Sequence, residues 1–158
     1  MPLSPSALSR LEFQHQTIND LIGDLPEAEL RRNNIPGKWS AFENIAHLDS
    51  YQPVFLWRLE KMQRESNPLF ERYVADQDPV FAASLQKRLD QVLADIDTRR
   101  SQITAMYLSM DDATLARTGV HPKFGEFDLR RWADFFLLHE SHHLYTIFML
   151  VQDLRKSL

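Results

Sequence analysis

Cysteine is absent from this chain of 158 residues, which excludes disulfides, thiolate-bound zinc and a cysteine nucleophile. A cytoplasmic location is expected on the same ground. The opening stretch through Phe13 lacks the basic head and long apolar run of a secretory signal. No uninterrupted apolar run approaches the roughly 20 residues that a bilayer span needs. Positive charge is scarce as well: 18 lysines plus arginines against 22 acids leave a net charge of −4. That balance argues against nucleic acid or an anionic membrane as the main partner. Glycine occurs only four times, and strand-type alternation of β-branched residues is nowhere sustained. Helix is what remains.

The length fits one domain over residues 1–158, and 44% apolar with 25% charged residues is the balance of an ordinary globule. Four helical segments stand out. The first runs from about Ser6 to Leu25, with Leu8, Leu11, His15, Ile18 and Ile22 on one stripe. Ser40-Ala41-Phe42-Glu43 is a capping box that opens a second helix reaching about Gln63. Pro53 falls inside it and removes one backbone hydrogen bond. Asp78-Pro79 starts a third helix, expected to continue to about Ser109. Asp128 caps the fourth, which runs to about Arg155. The segments 66–77 and 111–127 read as irregular connections. Amphipathic helices without strands predict an all-α four-helix bundle.

The densest chemical signal is His139-Glu140-Ser141-His142-His143. His139 and His143 are one helical turn apart and lie on the inward stripe Trp132, Phe136, His139, His143, Ile147, Leu150, Leu154. Two adjacent imidazoles are costly to bury as cations, whereas as neutral ligands they suit zinc, nickel, iron or manganese. A third ligand must come from another helix, and His47 in the second is the candidate; packed core histidines are the alternative. Three histidines leave a coordination position for water or substrate. Glu140 is a candidate to orient or deprotonate a water or thiol there, and Asp49 a candidate to hold a ligand's distal N–H. For both, an exposed acid on a helix face is the alternative. Lys38, Arg130 and Arg131, near helix ends, are candidates to dock an anionic cosubstrate, with solvated surface charge as the other reading. His15 reads as packed, His121 as an exposed turn residue and His142 as turned away from a shared ion.

Two known patterns overlap this run in part. It matches H-E-x-x-H, but no histidine or glutamate follows His143 to complete a zinc protease. The pairs Glu12/His15 and Glu140/His143 fit the E-x-x-H of di-iron bundles, yet the third helix has no glutamate to bridge.

The strings Pro36-Gly37-Lys38-Trp39-Ser40 with Ile45-Ala46-His47-Leu48, and His121-Pro122 with Phe124-Gly125-Glu126 before the last histidine pair, resemble the DinB/YfiT-like metalloenzyme family. The resemblance spans almost the whole chain. It implies a bundle of up-down-down-up order, often a homodimer, binding one divalent metal through His47, His139 and His143. Some members of that family are S-transferases or isomerases using a low-molecular-weight thiol, and others are metal-dependent hydrolases. With no cysteine in the chain, a sulfur nucleophile here is expected to arrive as a cosubstrate beside a small-molecule substrate. A metal-binding bundle without turnover is the alternative, and an access route to the metal is what separates the two.

Overall fold

The computed structural model describes residues 2–157. The chain forms α1 (Pro5–Phe13), α2 (Thr17–Ile22), α3 (Glu27–Leu30), α4 (Ala41–Arg64), α5 (Pro79–Ser84), α6 (Leu89–Leu108) and α7 (Asp112–Leu115). A hairpin of β1 (Thr118–His121) and β2 (Gly125–Asp128) follows, and α8 (Leu129–Lys156) ends the fold. A 3-10 turn at Gln14–Gln16 joins α1 to α2, so the first bundle member is one interrupted rod.

Two apolar clusters fill the bundle and fix its order. One gathers Leu3 and Ala7 from the start of the chain, Leu59 and Met62 from the end of α4, Tyr107 from the end of α6 and Leu129 and Trp132 from the start of α8. The other gathers Ile22, Phe42, Val92 and Leu154, from the opposite ends of the same four members. The first and last members therefore run one way, and α4 and α6 the other: up-down-down-up.

Between these clusters lies a polar waist. On one side of it stand His47, His139 and His143. On the other, Arg100 of α6 meets Glu140 of α8, each only 2% exposed. Gln14 donates to the same carboxylate at 2.7 Å.

Further segments depart from the sequence reading. The third helix breaks at Leu85–Arg88, where Arg31 donates to the carbonyls of Leu85 and Lys87 (3.0 and 2.6 Å) and Glu27 accepts from the amide of Leu89 (3.0 Å). No glycine or proline marks that break, because its cause is tertiary. Residues 118–128 form a hairpin whose strands are too short to show alternation; His121 pairs with Gly125 across a three-residue loop. Gly125 takes φ 80°, the left-handed position such loops require. Gly119 matters for a different reason: a Cβ there would meet Met62 at 2.7 Å and the Phe70 ring at 2.8 Å. The connection after α4 then runs beside β1, with Val120 donating to the Pro68 carbonyl (2.8 Å) and Phe70 donating to that of Val120 (3.1 Å). Among the described residues no helix is long and apolar enough to cross a membrane.

Removing one partner of a buried ion pair leaves an uncompensated charge, a loss of about 3–5 kcal/mol. Glu140→Ala is accordingly expected to lower urea-denaturation stability by that order, and the Arg100→Leu/Glu140→Leu double variant to recover most of it. A double variant as unstable as the single would contradict the ion-pair assignment.

Candidate metal centre

The site begins at the capping box of α4. The amide of Glu43 donates to the Ser40 hydroxyl (3.1 Å), and the amide of Ser40 donates to the Glu43 carboxylate (2.6 Å). With the helix start fixed, the Asn44 amide group donates to the Ser40 carbonyl at 2.8 Å. Its Oδ1 is thereby aimed at His143, whose Nδ1 lies 2.8 Å away. An amide oxygen only accepts, so His143 Nδ1 carries the proton and its Nε2 keeps a lone pair.

His47, one turn beyond Asn44, completes a cluster: a ring nitrogen from each of His47, His139 and His143 lies within 4.8 Å of the others. The Nε2 atoms of His47 and His139 are 3.1 Å apart. Tetrahedral coordination at roughly 2.0–2.1 Å spaces neighbouring nitrogens by about 3.4 Å, so small side-chain shifts suffice for one ion.

Burial supplies the electrostatic condition. It lowers the pKa of His47 to about 4, against an opposing pull from Asp78 and Asp76. It lowers His139 to about 3 and His143 to about 2, with the neighbouring imidazoles adding to the effect; Arg58 adds to it at His139. All three rings are neutral at pH 7, the form that binds a metal. The donor set, its spacing and its protonation fit one divalent ion. Nδ1 of His47 and Nδ1 of His139 have no protein acceptor. Packing orients these two rings instead. Trp39 and Tyr73 lie against His47 (centroids 5.1 and 5.8 Å), and Tyr51 lies against His139 (4.5 Å).

The cluster is not sealed. Phe136, on the same inward stripe, is stacked on Phe55 at 4.2 Å. His139 lines a cavity of about 580 Å³ together with Tyr51, Arg58, Tyr73 and His121. His143 lines another of about 540 Å³ with Lys38, Trp39 and Asn44. The centre stands at the waist, between two chambers.

Other sequence candidates are placed elsewhere. Both oxygens of Glu140 are engaged by Arg100 and Gln14, which turns this acid toward α6 and the turn between α1 and α2 rather than to the triad. Asp49 is buried, but it accepts from Ser84 (2.6 Å) and Lys87 (2.9 Å) and holds no histidine. The acceptor for a ligand's distal N–H is Asn44, visible in the sequence as the residue one turn before His47. His15 pairs with Asp97 at 2.9 Å, away from the triad. His142 is exposed. His121 is no free turn residue: its Nδ1 accepts from the amides of Lys123 and Phe124 (3.1 and 3.2 Å), and its ring lies 4.8 Å from that of Phe135. Lys38 borders the second chamber, while Arg130 pairs with Asp128 at 3.2 Å.

Comparison with known proteins shows the family of the chain and the fold it shares. The sequence model of the DinB superfamily matches residues 10–147. The uncharacterized protein YuaE of Bacillus subtilis (strain 168) is 26% identical over 145 residues, covering 84% of this chain and 89% of its own. Among solved structures, YfiT from Bacillus subtilis, described as a probable metal-dependent hydrolase with an unusual four-helix bundle topology, superposes with a TM-score of 0.81. The identity is 17%, over 94% of this chain and 85% of that one. TT2238, a four-helix bundle protein, gives a TM-score of 0.66 at 24% identity, over 90% and 95% of the two chains.

Replacing His47, His139 or His143 singly by Ala is expected to reduce metal occupancy measured by elemental analysis. Asn44→Leu should weaken affinity by about 10–100-fold, and His121→Ala should leave it unchanged. Equal occupancy in all five variants would contradict the assignment. The metal-free protein should also show a defined pH response. The three folded-state pKa values lie below the ordinary 6.5, so below that pH the unfolded chain takes up protons that the folded chain refuses. Stability therefore falls as pH drops from about 6.5 toward 4, by up to about 1.4 kcal/mol per pH unit for each histidine. Denaturant midpoints across this range check it; His143→Gln should flatten the slope.

Proposed function

The chain belongs to the DinB superfamily, and on that footing we propose that it is a divalent-metal-dependent enzyme acting on a small molecule at the three-histidine centre. The observation that carries this reading is the position of His139, which belongs to the triad and also forms part of the wall of a roughly 580 Å³ cavity. A purely structural site closes its coordination sphere with protein ligands; here three neutral donors leave it incomplete beside an open space. A divalent ion held there supplies Lewis-acid chemistry, lowering the pKa of a bound water to about 7.

The chain's own residues divide the remaining work. Asn44 fixes the tautomer of His143. Trp39 and Phe81 pack on His47 and keep bulk water from that side. Burial holds the Tyr51 phenol protonated. Its oxygen accepts from Arg58 (3.2 Å), which leaves the hydroxyl proton for an oxygen atom of the substrate. Glu140, engaged with Arg100, is assigned to holding α8 against α6 rather than to proton transfer. Hydrolysis is the first reading, in line with the description of YfiT as a probable metal-dependent hydrolase.

One observation favours thiol transfer as a second reading. A second chamber of about 540 Å³ borders His143, and two approaches to one centre suit two reactants. With no cysteine in the chain, the sulfur nucleophile would be the cosubstrate.

The test is a panel of esters, amides and alkyl electrophiles, run on metal-loaded protein with and without an added low-molecular-weight thiol. Turnover without thiol supports hydrolysis, and turnover only with thiol supports transfer. In either case His139→Ala should lower the rate by at least about a hundredfold, beyond the loss typical of an outer hydrogen-bond partner. Turnover that survives both chelator and His139→Ala would overturn the metal-dependent reading.

A further inference from the structure

Two arginines are buried in this bundle, and they are treated differently. Arg100, 2% exposed, has the carboxylate of Glu140 as its counter-charge. Arg58, 3% exposed, has none: among the described residues no acid pairs with it. Its Nη1 donates to the Tyr51 hydroxyl (3.2 Å) and its Nη2 to the Glu71 carbonyl (3.1 Å), while Nε is buried with no acceptor. Three aromatic rings surround it, with the guanidinium carbon 5.4 to 5.9 Å from the centroids of Phe70, Trp132 and Tyr51. Cation–π attraction of about 0.5–2 kcal/mol does not offset the several kcal/mol needed to remove an ion from water. The missing element is an anion.

The surroundings point the same way. Arg58 lines the cavity that reaches His139, and Arg72 and Lys123 line it too. Both of these are exposed, neither forms an ion pair among the described residues, and no aspartate or glutamate contributes to the wall. The folding that creates this chamber is specific: the pairing of Pro68 and Phe70 with Val120 sets Arg72 and Tyr73 opposite the hairpin that carries His121 and Lys123. The other walls are apolar, from Pro122, Phe135 and the Tyr51 ring.

We infer that this cavity is the binding site for the anionic end of the substrate, a small organic anion whose carboxylate or phosphoryl group lies against Arg58, with Arg72 and Lys123 drawing it in. The inference rests on the triad as the reacting centre and adds the substrate's class. A guanidinium suits planar carboxylate and tetrahedral phosphoryl groups alike, and the flanking rings suit an apolar body. Steering by the exposed pair also makes association sensitive to salt.

The experiment titrates benzoate, phenylphosphonate and the neutral benzamide into the full chain by calorimetry, metal-loaded and after removal of metal by chelator. At least one anion is expected to bind about tenfold or more tightly than benzamide in both states, the affinity falling with added salt. The tighter of the two anions identifies the group. Arg58→Gln should remove that preference, and the Arg72→Ala/Lys123→Ala double variant should weaken anion binding several-fold with an unchanged circular dichroism spectrum. If Arg58→Gln fails to fold, the double variant decides alone. Equal binding of benzamide and the anions, or full anion affinity in the folded variants, overturns the inference. His47→Ala separates the two proposals: it should lose metal while keeping anion binding in the metal-free state. Retained metal in that variant would count against the triad and leave the anion site standing.

Discussion

The packing of α4 on α8 is the constraint on which the rest depends. It places His47 opposite His139 and His143 and forces three imidazoles into a space from which water is largely removed. Burial makes the protonated form of each ring unfavourable, so the bundle holds a cluster of lone pairs rather than a cluster of charges. Two Nε2 atoms 3.1 Å apart need either a shared proton or a shared cation, and the third ring has its proton fixed on the far nitrogen by Asn44. A divalent ion satisfies all three at once.

The opposite side of the waist explains how that packing is held. Arg100 and Glu140 link α6 to α8, and Gln14 ties the first member to the same carboxylate. Apolar clusters lie on both sides of this layer, so sliding α8 along its axis would separate Glu140 from Arg100 while pulling His139 away from His47. Structural and chemical groups thus share one helix turn. A protein with a charged, paired half-layer and a neutral, lone-pair-rich half-layer has divided its polar waist into a fastening and a site.

Much of this was legible in the sequence. The spacing of His139 and His143, the capping box at Ser40 and the position of His47 on the second helix all express the helical period, and the structure brings the three histidines together. The role of Glu140 is not legible in the sequence, because adjacent helix residues point about 100° apart, and only the location of α6 shows that its direction is inward and toward Arg100. Arg58 and Arg100 do carry a signal in the sequence. Arg58 falls on the stripe Tyr51, Phe55, Arg58, Met62, and Arg100 on the stripe Val92, Ile96, Arg100, Ile103, Tyr107, both inward. The short strands and the break at Leu85–Arg88 gave no local sign, since contacts from distant residues create them. The cavity wall joins residues from the α4–α5 connection, the hairpin and α8, a combination that periodicity does not reveal.

The most direct measurement is X-ray absorption at the metal edge of the untagged protein, loaded with one equivalent of zinc. Three imidazole nitrogens with a fourth, exchangeable oxygen ligand is the predicted first coordination shell, with one imidazole fewer in His47→Ala. An oxygen-only shell, or a spectrum unaltered by His47→Ala, would contradict the account.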